Sequence, residues 1–155
     1  MTTICQRHGC VVNFVETSEP RIGILRMDFS EIPVGDEMDA VILIISAFIK
    51  HHEGRLVIHA RHVNSSKLIP PNMQGMLSIV GKILELKDIV NTKLKGTIVQ
   101  GTCIDDLVIM AKNMFLTIYQ PKTPFDVVVT DEDVTKFMAK ILEHELKKRA
   151  RREIK

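Results

Sequence analysis

The sequence predicts an α/β fold in which an N-terminal β-hairpin leads into regularly alternating helices and strands, forming a mixed, mostly parallel five-stranded sheet with about four helices. Three features point there. Short β-branched runs bounded by turn residues recur along the chain, the longer segments between them repeat apolar residues at helical spacing, and acidic or hydroxyl residues stand where those longer segments begin. A length of 155 residues with 45% hydrophobic content suits a single domain with a sizeable core.

CVVNFVET (10–17) and RIGILRMDF (21–29) are β-rich runs with partial alternation, joined by Ser18, Glu19 and Pro20, and they predict the hairpin. Residues 1–9 read as an N-terminal arm. Asp36 and Glu37 open the apolar run AVILIISAFI (40–49), whose length and acidic first turn predict a helix over 36–52 despite its β-branched content. Gly54 closes that helix, and RLVIHA (55–60) reads as a buried central strand. Pro70 and Pro71 suit the first turn of a helix that reaches about Leu86, with Met73, Met76, Leu77, Val80, Ile83 and Leu84 on its apolar side.

LKGTIVQG (94–101) supplies the fourth strand. Thr102 with Asp105 has the spacing of a capping box ahead of a helix that carries Leu107, Val108, Met110, Ala111, Met114, Phe115 and Ile118. Pro121 and Pro124 end it. FDVVVT (125–130) is the fifth strand, and Thr130 with Asp133 opens a last helix bearing Val134, Phe137, Met138, Ile141, Leu142 and Leu146. A basic tail, 147–155, follows with Lys147, Lys148, Arg149, Arg151, Arg152 and Lys155, where cations complement the negative end of the helix dipole.

A net charge of +2 from 21 basic and 19 acidic residues gives no bulk attraction to nucleic acid. The polar start MTTICQRHGC and the short apolar run at 40–49 predict neither a signal peptide nor a membrane span. Three cysteines, an odd number, fit free thiols in a reducing compartment, so a cytoplasmic location is expected.

No residue set specifies a reaction. Cys5, His8 and Cys10, with Cys103 far off, lack the paired spacing of a structural zinc site, and no metal or cofactor is expected. His59, Arg61 and His62 end the presumed central strand, where open α/β sheets bind ligands, yet alternation turns the two histidines to opposite faces. Asp105 and Asp106 read as capping and dipole partners rather than an acid–base pair. The Gly-rich phosphate loop, the Gly-x-Ser-x-Gly elbow and His-Glu-x-x-His are all missing from the sequence.

What remains points to binding. Eight methionines and no tryptophan supply adaptable apolar surface, most of it expected in the core. Apolar residues surround the whole axis of the first helix, more than one sheet face can bury, so Ile45 or Phe48 is expected to point outward and to be covered by a protein partner or a second copy of the chain.

The order of elements from about Cys10 to Leu146 resembles the STAS domain of anti-sigma factor antagonists and sulfate transporter tails. In that family the central strand enters an Asp-Ser-Ser-Gly loop in which a partner kinase phosphorylates one hydroxyl. Here NSSK stands at that place, with Asn64 for the acid, Ser65 and Ser66 as the serines and Lys67 for the glycine. The resemblance implies a non-enzymatic, regulatory protein-binding module, with Asn64, Ser65, Ser66 and Lys67 as its contact or regulatory point. NMFLTIYQPKTPFDVV (113–128) is also similar to a segment of the lipid-binding lobe of CRAL-TRIO domains, which implies an apolar-ligand or lipid binder as the alternative. The same segment resembles small α/β proteins of large DNA viruses, a likeness that implies no particular role.

Overall fold

The computed structural model describes residues 2–7, 9–17, 22–31, 33, 35–63, 73–85, 93–101 and 106–154. Six strands and four helices follow one another as β1 (Thr2–Arg7), β2 (Cys10–Glu16), β3 (Gly23–Phe29), α1 (Asp36–His51), β4 (Leu56–His62), α2 (Met73–Leu84), β5 (Leu94–Gln100), α3 (Asp106–Tyr119), β6 (Phe125–Val128) and α4 (Asp131–Ile154). The strands lie in the sheet in chain order. β1, β2 and β3 form an antiparallel meander, and β3 to β6 run parallel.

That order fixes the layers. Each parallel crossover steps one strand in the same direction, and right-handed connections therefore put α1, α2 and α3 on one face of the sheet. α1 packs on β1 and α2, and α2 packs on α3. α4 follows the last strand and lies against β5 and β6, where Ile141 joins Ile22, Val57, Ile98 and Val128 in a second apolar cluster. Gly96 makes this approach possible, because a Cβ there would stand 2.5 Å from Ile141 Cδ1.

β3 shows the division of faces by simple alternation. Leu25, Met27 and Phe29 are buried under the three helices, whereas Ile24, Arg26 and Asp28 are half-buried on the other side. β4, between β3 and β5, is buried through Ala60 on both faces, as expected of a central strand.

Three expectations need correction. The N-terminal arm is a sixth strand: Arg7 pairs with Cys10 across a two-residue turn in which Gly9 takes φ 75, and the chain then adds to the edge of the sheet. The basic tail is helical through Ile154, since α4, 24 residues at about 1.5 Å each, is longer than the seven-residue β5 and four-residue β6 it lies against and overhangs them. Ile45 does not point outward; it is fully buried. α1 has the sheet beneath it, β1 on one side and α2 on the other, so its own chain uses most of its apolar circumference. Phe48 is half-buried, 5.3 Å from the Phe14 ring and stacked on His52. Of the apolar residues at 41–49, only Leu43 and Ala47 are exposed. No helix among the described residues is long and apolar enough to cross a membrane.

Candidate functional site

α3 carries two apolar rows where one would suffice. The inner row, Val108, Ala111, Phe115 and Tyr119, joins the core, with Phe115 stacked on Phe125 at 4.6 Å and tilted against Tyr119 at 4.9 Å. The outer row is unpartnered among the described residues. Ile109, Met110, Met114 and Ile118 are 47%, 58%, 57% and 66% exposed, which places each at the surface although all are large and apolar. With Asp106, Asn113 and Thr117 they line an open groove of about 540 Å³.

Charge on this face is confined to one end. α3 holds only Asp106, at its start, and Lys112, whose Nζ lies 2.7 Å from Asp126 Oδ1 and so turns away. The same carboxylate oxygen accepts the Val127 N–H at 2.8 Å, which occupies a main-chain donor of the edge strand β6 and blunts it against strand addition. Thr117 Oγ1 donates to Asn113 O at 2.9 Å, so this hydroxyl can be covered without losing its partner. The result is a Met-rich patch whose centre is uncharged and whose one charge, Asp106, stands at its N-terminal end, the composition of an interface centre with a polar rim.

The opposite face of the sheet holds a polar network near the C-terminal ends of β3, β4 and β5. Arg61 grips Asp28 through Nε at 2.5 Å and Nη2 at 3.3 Å, and Arg26 Nε lies 3.5 Å from the same carboxylate. His59 Nε2 is 3.0 Å from Gln100 Oε1, while Gln100 Nε2 donates to Val129 O at 3.1 Å and to Asp131 Oδ1 at 2.8 Å. Because the amide nitrogen is committed to acceptors, its oxygen faces His59, and Nε2 of that imidazole carries the proton. Burial holds His59 below the ordinary histidine value, partly offset by the Gln100 bond. Together these contacts tie β3, β4 and β5 to the start of α4. His62 falls on the helix-lined face, level with Phe29.

Cys5 and Cys10 are buried in the helix-side core, and desolvation, followed by nearby Cys5 and Asp28, pushes the Cys10 thiol up to about 12. That thiol stays protonated in its apolar surroundings, which makes it a poor nucleophile. Asn64, Ser65, Ser66 and Lys67 lie outside the described residues, as do His8, Cys103 and Asp105.

Sequence reasoning placed Met110, Met114 and Ile118 in one apolar set with Phe115 and omitted Ile109. The signal was present. Met110, Met114 and Ile118 form their own i, i+4 row, and a helix resting on one layer cannot bury that row together with Val108, Ala111 and Phe115. No family model, curated protein or solved structure matches this chain.

Proposed function

We propose that this protein is a non-enzymatic, STAS-like protein–protein interaction module that docks a partner along the outer face of α3. The observation that carries this reading is the row of four large apolar side chains left 47–66% exposed on that helix. Covering a half-exposed Met or Ile gains about half of the ~1.5–3 kcal/mol of full burial, so the row offers roughly 3–6 kcal/mol. Association itself costs ~4–15 kcal/mol, so the partner must bring a matching apolar face. The groove is open, whereas an acyl chain calls for an enclosed cavity, and protein docking fits better than the lipid-binding alternative. In this reading Asn64, Ser65, Ser66 and Lys67, between β4 and α2, form the regulatory point that the STAS resemblance implies.

Methionine footprinting tests the reading, with internal controls. In dilute purified protein an oxidant should convert Met110 and Met114 quickly and spare the buried Met27 and Met76. Inside cells of its source, Met110 and Met114 should become protected as well. Equal oxidation of both in the two settings would remove α3 as a docking element.

A further inference from the structure

We propose that the occupant of the α3 face is a second copy of this chain, joined to the first by a two-fold axis through Met114. The proposal rests on the reading of α3 as a docking surface and names its partner. The outer row is symmetric about its own centre: Met110 and Ile118 stand one helical turn to either side of Met114. A two-fold axis therefore sets Met114 on Met114 and Met110 on the partner's Ile118, an isologous contact in which the apolar face each copy requires is supplied by the other. The row is an i±4n ridge, and two such ridges interdigitate with helices crossing near −50°.

The charges at its ends complete the match. Asp106 begins α3, and Lys122 follows in the turn after Gln120, equally far along the chain from Met114; both are exposed. An antiparallel pairing brings Asp106 toward the partner's Lys122 twice, and it opposes the two helix dipoles. A parallel pairing would set acid on acid and lysine on lysine. Continuation of the sheet through the edge strand β6 would be another symmetric route to a dimer, and Asp126 already occupies the Val127 N–H there.

The test is cysteine cross-linking in a Cys103→Ser background, with Cys5 and Cys10 buried in the core. Met114→Cys alone should give a covalent dimer on mild oxidation, because the axis brings the two thiols together. Met110→Cys and Ile118→Cys chains should cross-link when mixed and not when oxidised separately. In sedimentation of the otherwise unaltered chain, the mass should rise with concentration from 17.6 kDa toward twice that value. Met114→Lys should abolish the rise while leaving the circular dichroism, and the unfolding curve at high dilution, unchanged. Asp106→Lys should weaken the dimer by up to about thirtyfold through two rim pairs, and Asp106→Lys with Lys122→Asp should restore it. A monomer at roughly millimolar concentration, or cross-linking at position 114 no faster than at exposed Ala139, overturns the second copy as occupant. If Met110 and Met114 are nevertheless protected in cells, the docking face stands and its partner is another protein. If they are not, both readings fail together.

Discussion

Met114 and Phe115 are neighbours in sequence, and the account assigns them opposite duties, which a pair of alanine substitutions separates. Phe115 is 4% exposed, with its ring stacked on Phe125 and set against Tyr119, so Phe115→Ala leaves a cavity between α3 and the sheet and should cost about 3–5 kcal/mol. Met114 is 57% exposed on the outer row, and Met114→Ala should change the stability of the monomer by less than about 0.5 kcal/mol. For a chain of this length each kcal/mol moves the melting temperature by ~2–4 °C, so the two variants should melt about 5–20 °C apart. Urea unfolding at high dilution, where association is absent, measures the difference as a shift in midpoint at constant slope. A Met114→Ala cost within about 1 kcal/mol of the Phe115→Ala cost would mean that the chain itself packs the outer row, and the docking face would be lost.

Three more outcomes follow from the structure. Arg55 Nε lies 3.0 Å from Glu145, which is 5% exposed, so Arg55→Met should cost roughly 3 kcal/mol in urea unfolding while Arg55→Met with Glu145→Leu recovers most of it; no recovery would contradict a buried pair joining α4 to β4. His59 sits below its ordinary value of 6.5, so its contribution to stability is present above that pH and is lost as pH falls through the lower folded value. Arg61 and Arg26 add to that lowering and Asp28 opposes it, and His59→Gln should flatten the fall of unfolding midpoints below pH 6.5; an unchanged acid slope would refute the assignment. Ser65→Glu or Ser66→Glu should weaken partner binding while moving stability by less than about 0.5 kcal/mol, and unchanged binding by both would remove the loop as a regulatory point.

Local chemistry was legible wherever it acts within a few residues. Thr130 and Asp133 read as a helix start, and Asp133 N–H donates to Thr130 Oγ1 at 3.0 Å. The alternation of β3 and the continuous burial of β4 likewise follow from sequence pattern alone. β1 escaped because only Ile4 and Cys5 of its side chains reach the core, and main-chain pairing to β2, with polar contacts such as Thr3 Oγ1 to Asn13 Oδ1, leaves no apolar period to read. Ile45 was misplaced for a different reason. The number of sides on which α1 is covered depends on where β1 and α2 come to rest, and that is set by the strand order rather than by the helix's own residues. The Arg26, Asp28 and Arg61 cluster depends on the parallel register of β3 and β4, which puts Asp28 level with Arg61.

The central claim is that the outer row of α3 is a protein-docking face, and photo-crosslinking from position 114 in intact cells tests it most directly. A photoreactive residue replacing Met114 should yield discrete adducts of protein mass, with this chain's own peptides among them if the second copy is the partner. The same residue at Ala139, exposed on α4, should yield none. Lipid-mass adducts alone, or indistinguishable labelling from the two positions, would contradict the account.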